Sequence, residues 1–580
     1  MSTHSHPHTP PHVIRQDLIA VFLCALAVNA LAARFITRPG YMDAYYYFGG
    51  ALQLARGQGF TEPYVWNYLS QLAPALGEVW RGGPSHLYWM PLTSLVVAPF
   101  IALAGADSAN AALFRAAQIP LIVSASLLPL LSYAIAVLTT GLRRHALAAA
   151  MLTVFSGYYV SFWSNTDSFA LYGLTAGSAL LVSALAAQHR SSRGCFAAGL
   201  CAGFAHLTRA DGLFVFLVAL WALKHASLHD APPLTAPASR LTNLPITNYL
   251  SLTFGYLLIM LPWLIRNLIV VGAPLAPGGS RALWLTEYND LFNYPADSLT
   301  LSRYLATGWG SILAGKGWAL KTNLSRLIGE QGLVVASPFI VIGLWRLRRA
   351  PLYAPALIYF LLLFGLMTFV FTFPGPRGGL FHSGAALLPF FFPAAVVGLD
   401  ASVEAGARFQ QRAVRMLAAR VSPGLSRLFP AWQPERSQPI FAALLLLFAM
   451  ALTTFVFQAR LVGPDWRNPR SAQVDQAYAE VGDWLAKAGD RQSVVAVNNP
   501  PGFYYFTGHP SIIVPNGGPE VLLRAMTDFG ARWVVLDVNH PAGLASLYHL
   551  PASEPRLTLR AVFADDANEP VYLFELGPVP

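Results

Sequence analysis

The stretch that decides the fold is Arg34-Phe35-Ile36-Thr37-Arg38-Pro39-Gly40-Tyr41-Met42-Asp43-Ala44-Tyr45-Tyr46-Tyr47. A long apolar segment ends at its first residue, and the Pro-Gly pair stops that helix. Asp43 then stands where a new helix begins, just outside the hydrocarbon. The tyrosines after it are typical of the headgroup layer, because each side chain has an apolar ring and a polar hydroxyl group. The pattern predicts one carboxylate held at a membrane surface by a first span, with the later spans forming the wall behind it.

The composition predicts a polytopic membrane protein. Of 580 residues, 55% are hydrophobic and only 11% are charged, whereas soluble proteins carry about 25% charged residues. The net charge of +10 is explained by basic cytoplasmic loops, so nucleic-acid binding is not expected. Cys24, Cys195 and Cys201 all lie in apolar segments, which excludes a disulfide framework.

The charge pattern predicts about eleven transmembrane helices. The apolar run 91–105 is shorter than the about 20 residues a span needs, so it is interpreted as re-entrant or interfacial. With that assignment, Arg143-Arg144, the arginines of 346–349 and those of 401–438 all fall on the cytoplasmic side, as the positive-inside rule requires. Counting the run as a span would reverse every assignment downstream of it.

The chain divides into three predicted parts. Residues 1–16 form a disordered cytoplasmic tail, residues 17–458 the transmembrane part, and residues 459–580 a soluble extracytoplasmic α/β domain with short buried strands. Within the transmembrane part, the loops of interest are a first outside loop with interfacial helices (37–109), a second large outside loop (272–332) and a basic cytoplasmic loop (401–438).

Ten polar residues fall on the predicted outer face, at the edge of the hydrocarbon. Polar groups there are costly and are therefore functional candidates by default. Carboxylates can act as a general base or hold a divalent metal, and arginines can grip a phosphate through two parallel hydrogen bonds. This set suits transfer of a group from a lipid-linked phosphate. Its members are Asp43, His86, Asp167, Arg209, Asp211, Arg266, Arg281, Glu287, Arg377 and His382.

These residues also have structural interpretations. Asp43, Asp167 and Asp211 each stand near a predicted helix start and could serve only as N-caps. Arg209 and Arg266 could be snorkelling anchors at helix ends. No phosphate-binding Gly-Lys-Ser/Thr loop, His-Glu-x-x-His helix or Gly-x-Ser-x-Gly elbow occurs in the sequence, so ATP-driven chemistry has no support.

Five short motifs in a fixed order resemble those of the GT-C membrane glycosyltransferases. Within that superfamily the chain is most similar to the protein O-mannosyltransferases and the lipid A aminoarabinose transferase, over roughly residues 15–460. The motifs are Asp43-Ala44-Tyr45-Tyr46-Tyr47, Gly57-Gln58-Gly59-Phe60, Tyr88-Trp89-Met90-Pro91-Leu92, Leu207-Thr208-Arg209-Ala210-Asp211-Gly212 and Leu261-Pro262-Trp263-Leu264-Ile265-Arg266-Asn267.

The resemblance implies site residues. Asp43 matches the essential acid of the first outside loop, as catalytic base or metal ligand, and Asp167 matches a second acidic position. A divalent metal (Mg, Mn or Ca) held by these two carboxylates is one alternative, although Ala44 departs from the acidic pair that some relatives carry there. The donor phosphate would be held by Arg209, Arg266 and Arg377, with His86, Glu287 and His382 as further candidates.

The resemblance also implies a function. The enzyme would be a hexosyl or pentosyl transferase of the cell envelope, in the plasma (inner) membrane. It would move a sugar from a polyprenyl-phosphate donor to a lipid, glycan or protein acceptor on the outer face. The N-terminus would be cytoplasmic and the C-terminal domain extracytoplasmic. The alternatives are a transporter or flippase, which would favour charges at mid-membrane, and a polysaccharide polymerase or ligase of a lipid-linked glycan.

Overall fold

Apolar helices make up most of the chain as far as residue 463. The structure, a computed structural model, describes residues 10–70, 80–229, 246–420, 432–463 and 474–577. Most of the predicted tail 1–16 and the centre of the predicted basic loop 401–438 lie outside the described residues.

The helices of the membrane part follow one another with short connections. They are α1 (Pro11–Phe35), α2 (Met42–Ala55), α3 (Leu92–Leu103), α4 (Asn110–Thr140), α5 (Arg143–Val154), α6 (Val160–Trp163), α7 (Phe169–His189), α8 (Ser192–Thr208), α9 (Leu213–His229), α10 (Ile246–Val271), α11 (Gly278–Arg281), α12 (Leu301–Ala306), α13 (Gly308–Arg326), α14 (Ser337–Leu347), α15 (Ala354–Gly365), α16 (Leu380–Gly384), α17 (Leu388–Arg420) and α18 (Pro434–Phe457).

The structure confirms a polytopic helical membrane protein. Within the described residues, six helices are long and apolar enough to cross a membrane, and the segments Arg143–Val154 and Gly157–Trp163, which meet at 51°, would make a seventh as one bent span. The count is below the predicted eleven because four helices are short for a span: α8 and α9 have 17 residues each, and α14 and α15 have 11 and 12. Helix α3, with 12 residues, is also short for a span.

Small residues allow two helices of the bundle to approach closely. Helix α8 carries Gly199 and Gly203 four residues apart, and its most extensive contact is with α10. A Cβ atom on Gly199 would lie 2.1 Å from the carbonyl oxygen of Leu252, and one on Gly255 would lie 2.4 Å from the carbonyl oxygen of Phe196. The pair therefore packs backbone against backbone, as small-xxx-small motifs do in membranes.

A mixed α/β domain closes the chain, as the alternation of strands and helices predicted. Its sheet has the order β2-β5-β4-β6-β8-β7, in which β2 (Tyr64–Val65) comes from the first outside loop. The sheet is parallel from β2 to β6 and antiparallel at β8 and β7. The elements of the domain are α19 (Asp475–Lys487), β4 (Val494–Val497), α20 (Pro500–Thr507), β5 (Ser511–Ile513), α21 (Pro519–Phe529), β6 (Ala531–Leu536), α22 (Ala545–His549), β7 (Leu557–Ala564) and β8 (Pro570–Leu576).

The first outside loop supplies one strand of this sheet. Besides β1 (Thr61–Glu62) and β3 (Gly83–Pro84), which pair with each other, it contains β2 (Tyr64–Val65). Strand β2 pairs with β5, with Tyr64 opposite Ser511. The outside loop and the C-terminal domain therefore share one sheet.

Helix α2 is packed inside protein and does not lie on the membrane. Tyr45, Tyr46, Tyr47 and Phe48 are each at most 2% exposed, so the expected placement of these rings in the headgroup layer is wrong. The rings instead find polar partners within the protein: the Tyr45 hydroxyl donates to Asp475 at 2.6 Å. Burial fixes α2 between the helical bundle and the C-terminal domain.

Candidate functional site

Asp43 lies on the wall of a cavity beside the first turn of α2. The cavity has a volume of about 280 Å³ and is bordered by the first outside loop, the start of α9, the segment after α10 and the segment before α16. The N-cap of α2 is Tyr41, and no side chain caps the helix. The capping role that sequence alone left open for Asp43 is therefore not realised, and its side chain is 30% exposed.

Asp167 lies behind Asp43 and is almost fully buried. It precedes α7, and its Oδ1 accepts from the Ser168 backbone N–H at 2.5 Å. Its Oδ2 accepts from the Tyr41 hydroxyl at 2.7 Å and lies 3.1 Å from His382 Nε2. These contacts fix the position of the Asp167 carboxylate, and the residue is only 1% exposed.

His382 joins the two carboxylates. Its ring stacks on Phe169 with centroids 3.9 Å apart, and its Nδ1 lies 2.9 Å from the Gly378 carbonyl oxygen. That contact is a hydrogen bond in which Nδ1 donates. Nε2 lies 3.1 Å from Asp167 and 3.8 Å from Asp43, so it donates to Asp167 when it is protonated and offers its lone pair to a cation when it is not.

The three side chains could hold a metal ion. One ligand atom from each of Asp43, Asp167 and His382 lies within 4.8 Å of the other two. Two carboxylate oxygens and an imidazole nitrogen whose other ring nitrogen is anchored to a carbonyl form a common ligand set. The residues present therefore fit a divalent cation.

The two carboxyl groups have opposite pKa shifts. Burial, followed by the negative charge of Asp167, raises the pKa of Asp43. Burial also disfavours the charge on Asp167, but His382 and the hydrogen bonds from Tyr41 and Ser168 outweigh it and lower its pKa. Of the pair, Asp167 is the carboxylate that keeps its charge, and Asp43 is the one whose environment favours taking up a proton.

Two arginines also border the cavity. Arg209 is fixed, because its Nε donates to Asp211 at 3.1 Å and to the Ser383 hydroxyl at 3.0 Å. Arg377 lies over the ring of Tyr288, 5.0 Å from its centroid. The cavity thus has two guanidinium groups and an acidic cluster in its wall.

Aromatic rings form another part of the wall. Trp66 and Trp89 stack with centroids 3.7 Å apart and planes within 4°, and Tyr47 and Tyr88 are beside them. Trp89 was part of a sequence motif, but neither it nor Trp66 was predicted as a site residue. The cluster of aromatic residues between 64 and 68 was the available signal.

Five of the predicted polar residues do not line this cavity, and one of them is Asp167, which lies behind Asp43. Arg266 stacks on Trp263 and donates to the Ser85 carbonyl oxygen at 2.7 Å. His86 is buried between Ser85 and Ser94, and burial lowers its pKa to about 3. Glu287 is exposed and contacts Asn516, and Arg281 donates to the Leu69 carbonyl oxygen. The proposed roles of Arg266, His86 and Glu287 stay predictions.

Comparison with known proteins identifies the fold. No family model matches the sequence, and no curated protein matches it either. A crystal structure of the Archaeoglobus fulgidus oligosaccharyltransferase in complex with zinc and sulfate is similar with a TM-score of 0.53 and 13% identity, over 96% of this chain and 72% of that one. The chain therefore has the GT-C-like fold that its motifs suggested.

Two further oligosaccharyltransferase structures from Archaeoglobus fulgidus are similar at lower scores. One is tethered by a disulfide to an acceptor peptide with the NVT sequon (TM-score 0.49, 12% identity, 97% of this chain and 74% of that one). The other, named AglB, is in complex with an inhibitory peptide and a dolichol-phosphate (TM-score 0.48, 12% identity, 97% and 75%).

Proposed function

We propose that this chain is a membrane glycosyltransferase that takes a sugar from a polyprenyl-phosphate-linked donor and passes it to an acceptor on the outer face of the membrane. The observation that carries the proposal is the cavity beside α2. Asp43, Asp167 and His382 meet there, and Arg209 and Arg377 border the same space. An acidic cluster beside guanidinium groups provides what phosphate displacement from a sugar needs.

In the proposed reaction, the bond between the anomeric carbon and the donor phosphate oxygen breaks. A bond from the acceptor oxygen to that carbon forms, and the acceptor proton passes to Asp43. The environment that raises the pKa of this carboxyl favours that transfer. Arg209 and Arg377 stabilise the charge that develops on the leaving phosphate, an effect worth a few kcal/mol for a well-placed donor.

As a metal ligand, Asp43 would hold a divalent cation together with Asp167 and His382. The mixed oxygen and nitrogen set fits Mn²⁺ or Zn²⁺ better than Mg²⁺ or Ca²⁺, which prefer oxygen ligands alone. When bound, the cation would supply positive charge to polarise an oxygen of the donor or acceptor. The imidazole ligand is the feature that the predicted two-carboxylate site lacked.

The size of the cavity bears on the donor. At about 280 Å³ it lies just below the range of small-molecule pockets, roughly 300–1,000 Å³. It suits one sugar and its phosphate better than a long glycan. This favours a hexosyl or pentosyl transferase, as the likeness to protein O-mannosyltransferases and the aminoarabinose transferase implied. The acceptor is proposed only as a lipid, glycan or protein of the cell envelope.

The proposal includes an orientation. Helices α8, α9, α14 and α15 are taken as further spans, which gives eleven, with α3 as a re-entrant segment. The N-terminus is then cytoplasmic, and the cavity and the C-terminal domain face outward. A flippase would need charged groups at mid-membrane, whereas this cluster lies where helices meet the outside loops.

The test compares Asp43→Asn with Asp107→Asn, which changes an exposed acid of the same outside loop. Each purified variant is mixed with a membrane extract, which supplies the acceptor, and with a panel of polyprenyl-phosphate-linked hexoses and pentoses. The polyprenyl phosphate that is released is then measured. We expect Asp43→Asn to lose about 100-fold or more of the rate with an unchanged melting temperature, and Asp107→Asn to retain it. Full activity in Asp43→Asn, or no release by the wild type with any donor, would contradict the proposal.

A further inference from the structure

A second cavity lies on the other side of the loop that carries Tyr41. It has a volume of about 360 Å³ and is lined by the end of α1, residues 36–41, Ser161 and Phe162 of α6, Asn165, and residues 459–461 after α18. The Tyr41 hydroxyl reaches Asp167, and the Asn165 side chain donates to the Pro39 carbonyl oxygen at 2.8 Å. These residues separate the second cavity from the one beside Asp43.

The wall of this second cavity carries unsatisfied hydrogen-bond donors. Arg38 Nε lies 2.8 Å from Asp475 Oδ2, but its N–H does not point at the carboxylate, so the contact is an ion pair without a hydrogen bond. The buried hydroxyl of Ser161 also lacks a partner among the described residues. Both atoms are shielded from the cavity, so a rotation of each side chain must turn them toward a ligand bound there.

The charge of the wall indicates an anion. Arg38 and Arg460 both line the cavity, and its described lining includes no carboxylate. Arg460 is exposed and lies 5.0 Å from the ring centroid of Tyr158. Two guanidinium groups that line one cavity are well suited to a phosphate, which accepts paired hydrogen bonds from each.

The location indicates a lipid. The cavity lies between the ends of α1 and α18, two candidate spans whose apolar windows are only 28% and 22% buried by protein. Helices this exposed face the hydrocarbon, so their ends lie at the depth of the lipid phosphates. A headgroup can therefore enter the cavity from the bilayer while its chains stay between the helices.

From this geometry we propose that the cavity between the ends of α1 and α18 binds the phosphate of a membrane lipid, through Arg38, Arg460 and Ser161. The site is separate from the sugar-transfer cavity and does not depend on the function proposed for that cavity. Its ligand is either an anionic phospholipid or a free polyprenyl phosphate, which present the same phosphate chemistry at the same depth.

The experiment measures lipid binding to the delipidated full chain by native mass spectrometry. The probes are phosphatidylglycerol and phosphatidylcholine of equal chain length. We expect the wild type to bind one phosphatidylglycerol about tenfold more tightly than phosphatidylcholine, and Arg460→Gln to lose most of that preference. The control Arg348→Gln changes an arginine that stacks on Trp345 on another helix end, and it should bind as the wild type does.

Arg38→Lys tests the second arginine proposed to bind the phosphate, without leaving Asp475 as an unpaired buried charge. Lysine keeps the ion pair but lacks the Nε donor and the planar fork, so affinity should fall severalfold. Equal binding of the two lipids, or unchanged affinity in Arg460→Gln or Arg38→Lys, would overturn the proposal and leave an adventitious lipid. Polyprenyl phosphate forms a third arm: whichever anionic lipid binds more tightly is the ligand.

Discussion

Asp43 and Asp167 lie side by side but have different freedom. Asp167 is fixed by Tyr41, Ser168 and His382, whereas the nearest charged partner of Asp43 is the His382 nitrogen at 3.8 Å. Arg209 and Arg377 differ in the same way, because only Arg209 has carboxylate and hydroxyl partners among the described residues. One member of each pair is fixed by several polar contacts, and the other has fewer such contacts within the described residues.

This difference leads to a prediction for Arg377. Replacing it by glutamine removes a charge next to the cavity without leaving a buried carboxylate unpaired. We therefore expect an increase in KM for the lipid-linked donor of about tenfold or more and little change in melting temperature. Arg524→Gln is the matched control, because Arg524 also lies over a tyrosine ring but does not line the cavity. An unchanged KM in Arg377→Gln would remove Arg377 from the donor site.

Metal binding can be measured without turnover. The wild type should bind one Mn²⁺ at the Asp43, Asp167 and His382 cluster, seen as loss of the free-ion signal in electron paramagnetic resonance. His382→Ala should weaken binding by about tenfold or more, and His549→Ala, which changes an exposed histidine, should not. The histidines near the N-terminus are the same in all three proteins. Any Mn²⁺ that they bind therefore contributes equally and does not affect the comparison. Equal titration curves for wild type and His382→Ala would exclude the cluster as a site.

Local pattern predicted some of these residues but not their grouping. Asp43 could be found from sequence because a helix stop and an aromatic run surround it. Asp167 and His382 are separated by 215 residues, and nothing local in the chain shows that they meet. Trp66 was missed for the same reason, because its stacking on Trp89 depends on how the outside loop folds back.

At the scale of elements, the orientation of α2 depends on the C-terminal domain. Asp475, in the first turn of α19, accepts from Tyr45 of α2 at 2.6 Å and pairs with Arg38 just before it. The Tyr68 hydroxyl donates to the Ile513 carbonyl oxygen of β5. Asp43 is two residues from Tyr45, so this domain helps to place the candidate catalytic acid. The sequence predicted the domain's strands but could not predict β2, whose partner is more than 400 residues away.

The Asp475 contact has a pH dependence. Burial raises the pKa of Asp475 to about 6. A carboxyl whose pKa is higher in the folded chain stabilises the fold at low pH, and this contribution is lost as pH rises from about 4 to about 6. Across that window the wild type should lose up to about 3 kcal/mol relative to Asp475→Asn. Thermal unfolding of both proteins in detergent measures the difference, and parallel curves would contradict it.

A second prediction for elements concerns the contact of α8 with α10. Gly199→Leu places a branched side chain where even a Cβ would lie 2.1 Å from Leu252 O, so the helices must separate. We expect a loss of several kcal/mol in stability. Gly317→Leu in α13, where a Cβ would meet no atom within 4 Å, is the control. Equal melting temperatures for the two variants would show that this close packing does not stabilise the bundle.

At the scale of the whole molecule, the orientation in the membrane rests on α3. Its 12 residues cover about 18 Å as a helix, less than the hydrocarbon thickness of about 30 Å. If α3 does not cross, Asp107 after it and Asp483 in the C-terminal domain face outward, while Arg412 in α17 faces the cytoplasm. If α3 did cross, the C-terminal domain would lie on the opposite side of the membrane from the first outside loop, whereas the two share one sheet.

Cysteine labelling measures which side of the membrane each segment faces. Single cysteines at 107, 412 and 483, in a background without Cys24, Cys195 and Cys201, are exposed to a membrane-impermeant maleimide on intact cells. We expect labelling at 107 and 483 but not at 412, which should react only after the cells are opened. Labelling at 412 alone would place the Asp43 cavity on the cytoplasmic face, where a donor and acceptor of the outer leaflet could not reach it.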